Sequence, residues 1–194
     1  SPHGFQLKPS QVKSLQEATI VFSIHEKLET FLQRAISNIP GGVTQSTVVE
    51  SARMKLLPVR EGGPWEGHDH GHHEKKHDKH AEDKGHDDHK GHDDHKGHDD
   101  HEGGDVHVWL TTQNATKIIK AITRDLSKVF PQNRNAYKAN ARNYIKKLEK
   151  LDAEIKTRLK DIKTKPYIYF HDAFQYFETT YGLNGVGTIS IEPD

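Results

Sequence analysis

A chain of 194 residues with a formal net charge of zero and no Cys has room for one large domain or two small ones, since domains commonly run to about 100 to 200 residues. Without Cys there are no disulfides and no thiolate metal sites, so imidazole and carboxylate are the strong ligands on offer. The zero charge hides a split: residues 66–102 hold 13 acids and 6 Lys, about −7, and the remainder about +7. The basic residues are scattered along predicted helices rather than gathered with aromatics, which argues against a nucleic-acid partner. No run of about 18 apolar residues is present to span a membrane, and no signal peptide is visible.

In chain order, Pro9 and Ser10 start a short helix, and Thr19 to Ile24 has the β-branched enrichment of a buried strand. Leu28, Phe31, Leu32, Ala35 and Ile36 recur at spacings of three and four, which predicts an amphipathic helix over Glu26–Ile39, ended by Pro40-Gly41-Gly42. A strand is expected near Val43–Val49, and order fades after "LLPVREGGPWEG". Between His68 and His101 there are 12 His and almost no apolar residue, including three copies of a "GHDDHK"-like unit. Such a segment cannot offset the entropy of ordering its backbone, and a disordered surface loop is expected.

Structure is expected to return at "DVHVWLTT", where Thr111 or Thr112 can cap a helix carrying Ile118, Ile119, Ile122, Leu126 and Val129. The longest stripe follows: Tyr137, Ala141, Tyr144, Leu148, Leu151, Ile155, Leu159 and Ile162 alternate at three and four. A helix of about 30 residues would be about 45 Å long, a strut between two lobes or half of a coiled coil. "YIYF" then reads as a strand, "HDAFQYFETTYG" as a helix closed by Gly182, and "VGTISI" as a last strand. Strands and helices alternate on both sides of one long helix, the pattern of α/β units with parallel sheets. The sequence looks incomplete at both ends.

Four His lie outside the repeat segment: His3, His25, His107 and His171. His3, His107 and His171 each sit in a junction before a predicted helix, and in open α/β sheets ligands bind beyond the carboxyl ends of strands. Three imidazoles meeting there would suit a tetrahedral Zn²⁺ with one position left for carboxylate or water. On position alone, separate histidines that each cap a helix or bond a carbonyl outweigh a three-His site. His25 is expected at the surface or in a cap.

"SPHGFQLKPSQVKSLQEATIVF" resembles the "PHxYxxxPSDxxxLxxADLV" signature of the zinc- and manganese-specific (cluster A-I) periplasmic binding proteins of ABC transporters. "HVWLTTQNATKIIKAI" is similar to the family's "HxWLSPxNA" helix, and "YIYFHDAFQYFETTYGL" to its "FHDAYGYFxxxYGL". The three motifs occur in the family's order and flank a His/Asp-rich insert and a long helix. The resemblance implies two Rossmann-like α/β lobes joined by a long rigid helix, both incomplete in this chain, with the metal in the cleft. It divides the chain into residues 1–131 as a partial first lobe including the loop at 66–104, 132–163 as the linking helix, and 164–194 as the start of the second lobe.

The family's three His ligands carry over to His3, His107 and His171. Pro2 stands where some zinc-specific members have an acid, Gln11 replaces an Asp of the signature, and His25 stands where Gly is frequent. The implied function is capture of Zn²⁺ outside the cytoplasmic membrane, in the periplasm, by a monomer that delivers it to an ABC transporter permease and does no chemistry. Zinc is favoured over Mn²⁺ because imidazole suits it while Mn²⁺ prefers oxygen, and long His-rich inserts are typical of the family's zinc-specific members.

The loop histidines His68, His70, His72, His73, His77, His80, His86, His89, His92, His95, His98 and His101 form an expected auxiliary set of weaker sites. Near neutral pH most such imidazoles are unprotonated, their reference pKa being about 6.5, and many weak sites raise the metal concentration beside a strong one. Two other classes stay open: a zinc hydrolase, for which no obvious general base is placed, and a storage or chaperone protein acting mainly through the loop.

Overall fold

The computed structural model describes residues 5–38, 41–60, 65 and 104–189. The chain is an α/β protein in which two parallel strand pairs flank a pair of long helices. Helix α1 (Pro9–Glu17) leads into β1 (Ile20–Ser23), which pairs in parallel with β2 (Thr44–Thr47). Between them lie a 3-10 turn and the short α2 (Gln33–Ser37). The helix expected over Glu26–Ile39 is thus much shorter. Its start is delayed because the Glu29 carboxylate turns back to accept the backbone N–H groups of Ile24 and His25, each at 3.0 Å. Ile39 and Pro40 lie outside the described residues.

The strand expected to reach Val49 stops at Thr47, and Val48–Ser51 forms the single helical turn α3. Successive strand residues point to opposite faces, whereas the turn lets Val48 and Val49 both be buried. Val49, Met54, Val108 and Tyr176 form the core cluster, with Ile24, Leu56, Leu57 and Ile118 packed around it.

Strands β3 (Leu57–Pro58) and β4 (Gly104–Asp105) form a two-residue antiparallel ladder on either side of the His/Asp-rich segment. That ladder was not expected from the sequence. The loop at 66–104 expected to be disordered lies outside the described residues, except for Gly104.

Helix α4 (Thr112–Val129) starts as expected, with the Thr111 hydroxyl accepting from Asn114 N–H at 3.0 Å. After a 3-10 turn at Pro131–Asn133, α5 (Arg134–Leu159) runs for 26 residues, about 39 Å. It packs beside α4 but buries none of its residues, and Tyr144 and Leu151 of the apolar stripe remain exposed. Its tie to the elements on either side of it in the chain is polar: the Asp152 carboxylate accepts from Thr112 at the start of α4 (2.8 Å) and from the Tyr181 hydroxyl (2.9 Å), and pairs with Lys156 (2.6 Å). Lys156 foremost, then the two hydroxyls against the opposing effect of burial, holds that carboxyl below the ordinary carboxylate range.

Strand β5 (Pro166–Tyr169) pairs in parallel with β6 (Asn184–Thr188), joined by α6 (Gln175–Tyr181). The helix begins four residues later than the sequence suggests, because His171–Phe174 make a turn in which Ala173 N–H bonds the His171 carbonyl at 2.9 Å. Gly182 closes α6 in the left-handed conformation, φ 66°, as expected. Among the described residues no helix is long and apolar enough to cross a membrane.

Candidate metal centre

His107 lies between β4 and α4, where the wholly buried Val108 pins the backbone beside it. Two residues earlier, Asp105 Oδ1 accepts from the His107 backbone N–H at 2.9 Å and from its ring Nδ1 at 2.7 Å. Both residues are buried. A carboxylate on Nδ1 keeps a ring proton on that nitrogen, an arrangement common behind a metal-bound histidine, whose other nitrogen, Nε2, then faces the ion.

His171 follows β5, and the turn after it aims its ring at the same point. The two Nε2 atoms are 3.3 Å apart, with ring centroids at 5.1 Å and planes at 74°. Two nitrogens held at about 2.0 to 2.1 Å by one tetrahedral Zn²⁺ are themselves about 3.3 Å apart. The pair therefore has the bite of two ligands on one zinc ion.

Of the sequence-predicted residues, His107 and His171 are brought together. His3 and the twelve loop histidines lie outside the described residues, so among the described residues no group of three or more His, Cys, Asp or Glu could hold an ion. Phe5, two residues after His3 in the sequence, packs edge-to-face on Phe31, with centroids 4.9 Å apart. His25 is buried rather than at the surface, and since no helix starts at Glu26 it caps none: its Nδ1 accepts the Lys27 N–H at 3.2 Å within a turn.

Sequence reasoning missed three residues around the pair. Asp105 was legible in principle, as an acid two positions before a histidine. Arg60 and Tyr176 were not, because the groups they hydrogen-bond lie 71 to 119 positions away. The Arg60 guanidinium forks onto Asp172 and Glu178, donates to the Tyr169 hydroxyl at 3.2 Å, and lies 3.8 Å from the centre of the Trp65 ring. Burial works against its charge, but the two carboxylates outweigh burial and keep it firmly cationic. Burial foremost pushes the Tyr176 phenol up to about 12, so it stays a neutral O–H donor.

The family model described as "Zinc-uptake complex component A periplasmic" matches residues 1–194. The high-affinity zinc uptake system protein ZnuA of Brucella abortus (strain 2308) is 37% identical over 197 residues, covering 100% of this chain and 59% of that protein. The zinc-binding protein AdcA of Streptococcus pyogenes serotype M3 is 31% identical over 199 residues, covering 100% of this chain and 34% of its own length. Among solved structures, Zn(II)-bound AdcA from Streptococcus pneumoniae superposes with a TM-score of 0.67 at 25% identity, covering 100% of this chain and 33% of that one. A zinc-bound deletion mutant of ZnuA gives 0.68 at 20% identity, with 100% and 60% covered, a likeness of fold. The chain thus spans about three fifths of the Brucella relative's length. With its whole length matched, the chain belongs to the family of periplasmic component A proteins of zinc-uptake complexes.

Proposed function

We propose that this chain is the zinc-binding component of an ABC transporter, which captures Zn²⁺ outside the cytoplasmic membrane and hands it to the permease as cargo. The observation that carries the reading is the His107–His171 pair, whose 3.3 Å Nε2 separation suits two imidazoles on one tetrahedral ion. His3 is proposed as the third ligand. The relatives' descriptions as zinc-uptake and zinc-binding proteins support zinc as the ion, as does the all-nitrogen donor pair.

The proposed protein acts as a monomer without catalysis, its business being binding and release. Residues 1–131 and 164–194 are proposed to belong to the first and second lobes, with 132–163 as the linking helix; the Asp152 contacts with Thr112 and Tyr181 support that division. Residues 68–101 are proposed as an auxiliary capture segment, on the strength of their 12 His.

Calorimetric zinc titration tests the reading on the chain, on His107→Ala and on a form lacking residues 68–101. One tight site that survives the deletion and vanishes with His107 is expected. Weak multiple sites that vanish with the deletion would replace transport with storage through the His/Asp segment.

A further inference from the structure

The two histidines come from opposite lobes, and each is braced by a side chain of the other lobe. His107 depends on β4, whose partner β3 lies across the whole His/Asp segment in sequence. A two-residue ladder is a weak clasp for so long an excursion, because loop-closure entropy must be met by very few bonds. The Tyr176 hydroxyl of α6 reinforces both strands at once. It accepts from Leu57 N–H of β3 at 2.9 Å and donates to the carbonyl of Asp105 in β4 at 2.7 Å. Gln175 adds a third bond from α6 to the Pro58 carbonyl at 3.0 Å. Asp105 in turn holds the His107 ring. Thus a second-lobe tyrosine fixes the backbone whose carboxylate orients the first-lobe histidine.

The reciprocal contact runs the other way. Arg60 leaves β3 and reaches the second lobe, where its fork takes the Asp172 carboxylate through Nε and Nη2 and the Glu178 carboxylate through Nη1. Asp172 is the residue after His171, on the turn that aims that ring. Glu178 is buried in α6 and also accepts from the Tyr167 hydroxyl of β5 at 2.9 Å. Arg60 therefore ties strand, turn and helix of the second lobe together at the point from which His171 projects. The planar guanidinium can serve two carboxylates and stack on Trp65 at the same time, which an ammonium cannot.

We propose that Arg60 and Tyr176 are the positioning residues of the His107–His171 pair, each acting from one lobe on the histidine of the other. They touch no metal. Their work is to hold the two Nε2 atoms at metal-binding separation before an ion arrives, so that binding need not also close the cleft. The consequence for zinc affinity rests on the transport reading above; the consequence for the geometry of the pair does not.

The experiment uses the whole chain, wild type, Tyr176→Phe, Arg60→Gln and the conservative Arg60→Lys. Two readouts separate the ideas. In the metal-free protein, NMR contacts between the His107 and His171 ring protons report the pairing itself. In the second, Zn²⁺ titration and the visible absorption spectrum of Co²⁺ added alone report affinity and coordination geometry. Retained circular dichroism establishes that a variant folds, and Arg60→Lys serves if Arg60→Gln does not. Expected are loss of the ring contacts, zinc binding weaker by about 10- to 100-fold and an altered Co²⁺ spectrum, with Arg60→Lys intermediate. Variants that lose only thermal stability, with ring contacts and spectrum unchanged, would overturn the proposal. Loss of the ring contacts in a chain whose wild type has no tight zinc site would leave the positioning role standing and remove the transport reading.

Discussion

The parallel pairs β1–β2 and β5–β6 each place a histidine two residues beyond their first strand, His25 after Ser23 and His171 after Tyr169. Both sites are the carboxyl-end crevice where α/β proteins bind ligands, yet they are put to different use. At His25, Nδ1 accepts a backbone N–H, so the neutral ring carries its proton on Nε2 and has no outward lone pair. At the other edge, His171 Nε2 meets His107 Nε2 at 3.3 Å, and the Nδ1 of His107 faces the Asp105 carboxylate. Place in the fold makes a crevice; in the proposed function, what the ring meets there, a backbone N–H at His25 or a second imidazole at His171, separates a structural histidine from a ligand.

The largest test of that contrast is a pair of alanine substitutions. His107→Ala is expected to weaken zinc binding by more than about 100-fold, beyond the usual cost of an outer-shell change, in a chelator competition titration. His25→Ala should leave zinc affinity unchanged and lower stability by about 1 kcal/mol through the lost bond to Lys27 N–H. Equal losses of affinity would sink the distinction. Next in size, Asp105→Ala should weaken zinc binding by about 10- to 100-fold while leaving both imidazoles in the chain.

The two ladders also differ in how much room they have. A Cβ on Gly185 in β6 would run into the Glu178 carboxylate and the Tyr169 hydroxyl, whereas one on Gly42 before β2 meets nothing. Urea denaturation should find Gly185→Ala destabilised by about 1 to 3 kcal/mol and Gly42→Ala within about 0.5 kcal/mol of wild type.

The smallest effect is a pH dependence at the first ladder. Asp125 of α4 accepts from Ser46 of β2 at 2.9 Å, from Ser51 of α3, and from Arg124 at 3.0 Å. Burial works to raise its carboxyl, but Arg124 and the two hydroxyls prevail and hold it below the ordinary 3.8. Since the folded value lies below the unfolded one, the stabilisation is complete above about 3.8 and is lost as pH falls through the folded value. Acid unfolding curves should therefore steepen below that point, and Asp125→Asn should flatten them; identical slopes would remove Asp125 from the account.

Much of this molecule was legible because it is local. The stripe from Ile118 to Val129 and the Thr111 cap gave α4, Gly182 gave the end of α6, and the β-branched run after Thr19 gave β1. The errors arose where a side chain reached past its own element. Glu29 shortened α2 by capping backward, Val48 and Val49 turned together into the core, and the His171 turn delayed α6.

By itself the sequence determined the helix and strand periods, the caps, the family motifs and the candidate ligands His3, His107 and His171, since each is written within one short stretch of chain. Only the tertiary structure decided that the rings of His107 and His171 meet, that Asp105 holds one of them, and that Tyr176 bonds Leu57 and Asp105 while Arg60 bonds Asp172 and Glu178. Apart from the Asp105–His107 bond, which spans two positions, those contacts join residues 64 to 119 positions apart; no periodicity encodes them, and they exist only once packing around Val108 and Met54 has met the entropy of bringing such distant segments together.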